Sequence, residues 1–400
     1  MSDPVEKQDD ASRLRAARIA VAYMFFINGA VGGNWVTRIP ALMDKLGLSV
    51  TMLAYAFFAA PLAAILAMPL VGPLVTKFGS RRTTRISFFL WCLSIAPIAF
   101  APNLIVLGAV MFVIGAVSAL MDVAMNAHGL VLERRYRRPI LSSLHAWYSI
   151  GGLVGSGTGA LAAWAGLDIR LHISLVVGIA VAGGLLISPF LLRGGDEVAQ
   201  ERQPFFIKPP RVLLALGAVA FISLLSEGAV GDWSAVYIHK PLHSSQAIAA
   251  LGYFAFSFMM VAGRLSGDRL TIRSGPVALI RTGGLLAAVS LTAALLIGNP
   301  VVAIIGFAGM GAGLAAVVPT VFRAAGTRPD IPPGIGLASV SLIGYFGFLV
   351  GPPLIGSINH FIGLPKALGV VALFMAAIGF LAMSAAPSKA RTQAPATTEE

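Results

Sequence analysis

Long apolar segments recur along the whole 400-residue chain, and short clusters of basic residues separate them. A helix needs about 20 mainly apolar residues to cross the hydrocarbon core of a bilayer. Only 12% of the residues are charged, which is too few to build the water-facing surface of a soluble domain. The sequence therefore predicts an all-α integral membrane protein with about twelve transmembrane helices. Cutting at charged clusters and Gly/Pro turns gives the spans 19–39, 51–71, 84–101, 104–132, 141–164, 171–192, 212–238, 247–265, 277–297, 301–321, 334–358 and 364–385.

The arginines and lysines fall mainly on one side of these predicted spans. Basic clusters occur at 13–18, 77–85, 134–138, 193–211, 264–273, 323–328 and 389–391. The other side has scattered cases only, namely Lys45, Arg170, Lys240 and Lys366, with Arg38 at its margin. Because cytoplasmic loops are enriched in Lys and Arg, we expect a multi-pass protein of the inner membrane with both termini in the cytoplasm.

The net charge of +12 does not indicate a nucleic-acid-binding protein, because the charges flank apolar runs and form no basic face. Cys92 is the only cysteine, so no disulfide framework or His/Cys zinc spacing is present. We expect no metal, no cofactor and no removable signal peptide. The sequence contains no catalytic constellation, which argues against an enzyme. It also contains no Walker loop, which argues against transport driven by ATP.

The chain resembles itself at an offset of almost half its length. Gly33-Asn34-Trp35 in the first span matches Gly231-Asp232-Trp233 in the seventh, and the glycine pattern at 151–155 recurs at 347–351. These offsets predict two six-helix bundles, at 19–192 and 212–386. A cytoplasmic segment at 1–18, a cytoplasmic linker at 193–211 and a disordered cytoplasmic tail at 387–400 complete the division. Parallel halves of this kind place a substrate site between them, near the middle of the membrane.

Two segments in matching places resemble the cytoplasmic loop signature of the major facilitator superfamily. The signature combines two glycines with an acid and basic residues, and it is carried here by Gly72, Gly79, Arg81 and Arg82, then by Gly263, Gly267, Asp268 and Arg269. Thr76 stands where the first copy should have its acid. The resemblance covers essentially the whole chain. It implies the major facilitator fold of twelve helices in two halves and a transport function.

Shorter segments resemble particular branches of that superfamily. Residues 121–126, which contain Asp122 and Asn126, are similar to the acid-x-x-x-Asn element of the fucose–proton symporters. Residues 34–40 and 227–234 resemble a bacterial inner-membrane subgroup, the YbjJ-like proteins. The sugar symporters also carry an acid in the first helix, and this first span has none. The resemblance implies coupling to protons, with that acid's role moved elsewhere or absent.

Charged residues inside the predicted spans are the main candidates for a site, because a charge costs about 2.5–3.5 kcal/mol at the bilayer centre. Asp122 lies mid-span with Ser118 and Asn126 one turn away on the same helix face. Glu227 lies in the middle of the seventh span, and Asp232 lies nearer its outer end. We interpret them as groups that bind substrate or protons. The alternative is that they lock neighbouring helices together.

Three further candidates lie near the outer end of the first span and its counterpart. Trp35 and Trp233 could stack on a sugar face, or they could belong to an interfacial aromatic belt. Arg38, one turn after Asn34, could bind an anionic or hydroxyl-rich solute, or it could extend to the membrane surface. We expect His128 and His145 to be structural, and we expect Gly151, Gly155 and Gly159 to allow close helix packing.

The leading hypothesis is a monomeric secondary carrier of a small polar solute, such as a sugar or a related metabolite. Protons would be the coupling ion, the bilayer would be the only other partner, and the two halves would alternate access to a site between them. One alternative is an efflux carrier of amphipathic compounds, which an acid-poor cavity would favour. A non-transporting membrane sensor on the same scaffold is the other alternative.

Overall fold

The computed structural model describes residues 4–136, 140–192, 210–328, 331 and 333–386, and these residues form helices, turns and no strand. Eleven helices in these ranges are long and apolar enough to cross a membrane. A further helix at Leu141–Trp164 has sufficient length but a face rich in Gly, Ser and Thr. In chain order the α-helices are α1 Pro4–Thr37, α2 Ile39–Leu46, α3 Val50–Phe78, α4 Ser80–Ile95, α5 Leu104–Tyr136, α6 Leu141–Trp164, α7 Ile169–Ile187, α8 Leu214–His239, α9 Gln246–Ile297, α10 Pro300–Leu314, α11 Val317–Gly326, α12 Pro333–Ile362 and α13 Leu364–Leu381. Short 3₁₀ turns extend α4, α7 and α13 and precede α8.

Most predicted spans coincide with a helix, and four differ in an informative way. The first span was expected to begin at residue 19, but α1 begins at Pro4. The eighth and ninth spans form one long helix, α9, which is interrupted only at Gly275, where φ is 76°. The tenth span divides into α10 and α11. Hydropathy marks where a chain enters lipid, but it does not mark where the helix itself ends.

The two halves of the chain repeat the same helix pairing at very short range. In the first half, a Cβ atom on Gly155 would lie 2.0 Å from the carbonyl oxygen of Ala30, so α6 packs directly on the α1 backbone. In the second half, a Cβ on Gly347 would lie 2.4 Å from the carbonyl oxygen of Phe221, so α12 packs on α8 in the same way. Only glycine permits such contacts. The packing role expected for the glycines of α6 is confirmed.

Glycines with positive φ also recur at matching places. Gly79 ends α3 with φ 80° and ψ 151°, and Gly275, 196 residues later, interrupts α9 with φ 76° and ψ 161°. A side chain at either position would be strained, so glycine is required at both turns. The halves meet where α6 packs on α9 and α3 packs on α12. Most of the predicted linker and the whole predicted tail, residues 193–209 and 387–400, lie outside the described residues.

Candidate functional site

A row of polar side chains crosses the interior of the first half between α5 and α6. The side-chain nitrogen of Asn126 donates to the Asp122 carboxylate at 3.2 Å and to the Asp122 backbone oxygen at 2.8 Å. The side-chain oxygen of Asn126 lies 3.0 Å from Nε2 of His145 on α6. Asp122 and Asn126 are therefore brought together as expected, and His145 joins them. Ser118 lies one turn before Asp122 on α5 and is half-buried.

Arg264 on α9 connects this row to the second half. Its Nη1 donates to the hydroxyl of Ser149 on α6 at 2.9 Å, which is a hydrogen bond between the two halves. Its Nη2 lies 3.5 Å from the carboxylate of Glu227 on α8. The Arg264 side chain is 37% exposed and that of Glu227 is 15% exposed, although both lie in membrane-spanning helices. Side chains with this exposure that bond to one another face a wet gap between the halves and not the lipid.

Tyr148 lies at the centre of this gap. It is 44% exposed, and its hydroxyl is close enough to Asp122, Arg264 and Glu227 for their charges to act on it. Helices α5, α6, α8 and α9 thus direct polar groups to one place from both halves. We call this place the central chamber, and it is defined by Asp122, Asn126, His145, Tyr148, Ser149, Glu227, Asp232, Tyr253, Arg264 and Tyr345.

Two more tyrosines and an acid complete the central chamber. Tyr345 on α12 is 57% exposed and lies in electrostatic range of Asp122 and Tyr148. Tyr253 on α9 hydrogen-bonds to a neighbouring serine and lies within range of Tyr148, Glu227 and Asp232. Within the described residues, the carboxylate of Asp232 makes no hydrogen bond or ion pair. Asp232 is therefore an acid of the chamber that has no hydrogen-bond or ion-pair partner among the described residues.

An aromatic layer closes the central chamber at one end. Trp35 of α1 packs edge-on against Phe57 of α3, with ring centroids 6.3 Å apart. Phe57 in turn contacts Trp233 of α8, across the boundary between the halves, at 6.0 Å. Trp233 is fully buried, so the structure places it in the wall of the closed end, where it cannot stack on a solute in this state. Asp232 directly precedes Trp233 in α8.

A polar cluster ties the halves together beyond the aromatic layer. Asp44 on α2 accepts hydrogen bonds from Lys240, from Nε2 of His239 at 2.8 Å, and from Gln246 at 3.0 Å. All three donors belong to the second half. Burial alone would raise the pKa of Asp44, but the bonds from Lys240, His239 and Gln246 outweigh it and hold that pKa below its ordinary value. We call this cluster the Asp44 latch.

Both ring nitrogens of His239 have polar neighbours in the Asp44 latch. Nδ1 of His239 lies 2.7 Å from the backbone oxygen of Ser244, and Nε2 lies 2.8 Å from the Asp44 carboxylate. These two contacts orient the ring between the connection that follows α8 and the first half of the chain.

Asn34 and Arg38 lie inside the first half, away from the central chamber. The Asn34 side-chain oxygen accepts from Thr158 at 3.1 Å and lies 2.9 Å from Nε2 of His172. Arg38 is 3% exposed and donates to the backbone oxygen of Leu167 at 2.6 Å. In this state Arg38 neither faces the chamber nor extends to the membrane surface. It fixes the connection between α6 and α7.

The two signature segments lie mainly on helices and not in loops. Gly72 belongs to α3 and Gly79 ends it, while Arg81 and Arg82 begin α4. The second segment, Gly263 to Arg269, lies wholly within α9. Arg264 was predicted at the end of the eighth span, 247–265, and was counted with the basic cluster at 264–273. In the structure it lies within α9, and its guanidinium lies 3.5 Å from the Glu227 carboxylate. The side chain of Asp268 lies outside the described residues.

Sequence reasoning missed several residues of the central chamber. Tyr148 and Ser149 follow His145 by three and four residues and so share its helix face, which was the available signal. Tyr345 lies in a strongly apolar span, and nothing in its sequence context indicated a place in the chamber. The partners in the Asp44 latch are 195 to 202 residues apart, so spacing could not reveal them. The described residues contain no group of three or more His, Cys, Asp or Glu side chains able to hold a metal ion.

The sequence model of the Major Facilitator Superfamily matches residues 21–330 of this chain. The chain belongs to that superfamily. Among its relatives is an uncharacterized MFS-type transporter of Yersinia pestis, 32% identical over 358 residues that cover 90% of this chain and 93% of the relative. Another is the membrane protein MosC of Rhizobium meliloti, 34% identical over 364 residues that cover 90% and 87% of the two chains.

Solved structures of major facilitator proteins have the same fold. The nucleoside transporter NupG superimposes with a TM-score of 0.69 at 13% identity, covering 93% of this chain and all of NupG. A bacterial homologue of the human lysosomal transporter Spinster, in an inward-facing and occupied conformation, gives 0.68 at 14% identity, covering 96% and 97%. The predicted fold class is confirmed. The chain is a multi-pass membrane transporter and not an enzyme.

Proposed function

We propose that this transporter is a secondary active carrier of a small polar solute, that it works by alternating access, and that protons are its coupling ion. The observation that supports this most is the hydrogen bond from Arg264 to Ser149, made between the halves beside Glu227, Tyr148 and Asp122. Polar groups that face each other inside a membrane-spanning bundle are costly unless they line a wet path. Carboxylates and phenols in that path suit a polar solute better than an amphipathic one.

Alternating access requires one end of the central chamber to be closed while the other is open. The Asp44 latch and the aromatic layer hold the halves together at one end. At the other end, basic side chains bond within their own half, as Arg18 does with Ser143 and Arg328 with the Ser384 backbone. On the positive-inside rule the latched end faces outward, which makes this an inward-facing arrangement.

The same proposal assigns the moving parts. The halves at 19–192 and 212–386 rock against each other, and both chain termini face the cytoplasm from the inner membrane. A monomer suffices, because the chamber is built from one chain. The contacts between the halves that must break on opening outward include the Asp44 latch, the Phe57–Trp233 contact and the hydrogen bond from Asn359 to Thr51 at 3.1 Å.

Proton coupling is assigned to the carboxylates that line the central chamber. A proton on Glu227 removes its attraction to Nη2 of Arg264, which is then free to bind a solute while Nη1 stays bonded to Ser149. A proton on Asp122 removes the charge beside Tyr148 and Tyr345. In this scheme solute and proton bind from one side, and the polar bonds between the halves re-form after both have left.

The test uses purified protein in liposomes that enclose a pH-sensitive dye, with a panel of sugars, polyols, amino sugars and nucleosides added outside. We expect at least one solute to carry protons inward, and we expect Asp122→Asn and Glu227→Gln to abolish this flux. Asp168→Asn is the matched control, since Asp168 caps α7 through its side-chain oxygen and an asparagine caps equally well. Solute-driven proton flux that persists in both chamber variants contradicts the assigned coupling. Uptake without any proton flux contradicts coupling altogether.

A further inference from the structure

The side chains that line the central chamber do not balance in charge. Three of them are acids, Asp122, Glu227 and Asp232, and one is a fixed cation, Arg264. Arg264 neutralises Glu227, which it contacts at 3.5 Å. Asp122 keeps only an amide partner, Asn126. With its carboxylates ionised, the chamber therefore carries an excess negative charge that the described residues do not offset.

We propose that the solute of this transporter carries a cationic group, either a protonated amine or a quaternary ammonium. This rests on the proposed function, because it identifies the class of solute that the same chamber takes. A cation that enters the chamber supplies the charge that Asp122 and Asp232 lack. An anionic solute is repelled by two carboxylates that have no cationic partner, and the guanidinium of Arg264 is already paired with Glu227.

Aromatic rings in the chamber strengthen this inference. Tyr148, Tyr253 and Tyr345 surround the acids, and Tyr148 and Tyr345 have 44% and 57% of their surface exposed. Cations are attracted to the faces of aromatic rings, and the attraction increases when water is excluded. Phenol rings combined with unpaired carboxylates are the chemistry that recognises an alkylammonium group.

The position of Asp232 indicates where the cationic group binds. Asp232 precedes Trp233, whose ring closes the end of the chamber, and it lies in range of Tyr253. A cation there contacts the Asp232 carboxylate within range of the Tyr253 phenol. The polar remainder of the solute then lies towards Tyr148, Asn126 and His145, which offer hydrogen bonds along the way out.

The electrical potential of the chamber can be measured without knowing the solute. The native thiol, Cys92, is buried and is removed as Cys92→Ala. A single reporter is introduced as Tyr345→Cys, and the detergent-purified protein is treated at pH 8 with two methanethiosulfonates, one bearing trimethylammonium and one bearing sulfonate. The ratio of the two reaction rates is divided by the same ratio for 2-mercaptoethanol, which cancels the intrinsic reactivity of the reagents.

We expect the normalised ratio to favour the cationic reagent by about tenfold or more. The reagents differ by two unit charges, so Asp122→Asn or Asp232→Asn should each lower the ratio by about tenfold if the carboxylate is about 10 Å away at an effective dielectric constant of about 40. Asp168→Asn, outside the chamber, should leave the ratio unchanged. A ratio at or below one, or a ratio that neither chamber variant lowers, overturns the proposal.

A second measurement separates this inference from the proposed function. Liposomes that hold the wild-type protein are offered two matched pairs of neutral and cationic probes, glucose with glucosamine and sorbitol with 1-amino-1-deoxysorbitol. We expect uptake or competition with uptake by the cationic member of a pair. Uptake of the neutral members alone refutes the cationic class while leaving the carrier function intact. If the reagent ratio shows that the chamber favours cations but the protein transports none of these probes, the result counts against the carrier function itself.

Discussion

Removing the carboxylate of the Asp44 latch should shift the protein towards its outward-open state. Asp44→Asn keeps the size of the side chain but loses the ion pairs with Lys240 and His239, and it weakens the bond from Gln246. The groups are partly solvated, since the Asp44 side chain is 34% exposed and that of Lys240 is 44% exposed. Exposed ion pairs each contribute about 0.2–1 kcal/mol, so the three contacts together contribute about 1–2 kcal/mol. That corresponds to a change of about 5- to 30-fold in the ratio of open to closed molecules.

Spin labels on the outer connections of the two halves measure this ratio directly. Pro102→Cys and Lys366→Cys place labels on exposed positions before α5 and near the start of α13, in a Cys92→Ala background. We expect Asp44→Asn to increase the population with the longer label-to-label distance. Lys45→Met is the matched control, because Lys45 adjoins Asp44 but donates within its own half, to the Ala99 backbone.

The response of the Asp44 latch to pH has a definite sign. The pKa of Asp44 is lowered in the closed state, so its contribution is present above the ordinary carboxyl pKa and is lost as pH falls through the lowered value. The closed population should therefore stay constant near neutral pH and decrease below about pH 4, the ordinary pKa of a carboxyl group. A distance distribution that changes neither with Asp44→Asn nor between about pH 6 and pH 3 would refute the reasoning.

Two further perturbations test the packing and the chamber. Gly155→Ala should lower the melting temperature, because its Cβ would lie 2.0 Å from the Ala30 carbonyl oxygen and overpacking costs about 1–3 kcal/mol. The control is Gly178→Ala, whose Cβ would meet no atom within 4 Å and which should not lower the melting temperature. Equal melting temperatures for the two variants would contradict the packing argument. Arg264→Met should abolish solute uptake by liposomes, because it leaves Glu227 without its cation, whereas Arg264→Lys should retain part of it. Wild-type uptake by Arg264→Met would remove Arg264 from the transport machinery.

The helices of this protein could be predicted from hydropathy because lipid imposes one length and one polarity on every span. The span predicted at 141–164 has the same two ends as α6. That helix is the least apolar of the membrane-spanning helices, but Gly and charged flanks mark its limits. Asp122 and Asn126 were also predictable as a pair, because one turn of helix separates them. Local spacing was sufficient in both cases.

The rest of the site could not be predicted, since it depends on contacts between distant helices. Arg264 was counted with the basic cluster at the end of its span, and only the packing of α9 on α6 brings it to Ser149, 115 residues away in sequence. His145 looked structural from its place near a helix end, yet it contacts Asn126 in the chamber. No periodicity records which faces of two separate helices meet.

The internal repeat explains why the scaffold was easier to predict than the chemistry. Asn34 and Asp232 occupy the same place in the two halves, each directly before a tryptophan that packs against Phe57. Asn34 is held by His172 and buried, whereas Asp232 has no hydrogen-bond or ion-pair partner among the described residues. A duplicated backbone needs the same glycines and the same helix pairs in both copies. A binding site needs only one set of charges. The first half can therefore use an amide, Asn34, for a structural hydrogen bond, while the second half places a carboxylate, Asp232, where a cation could bind.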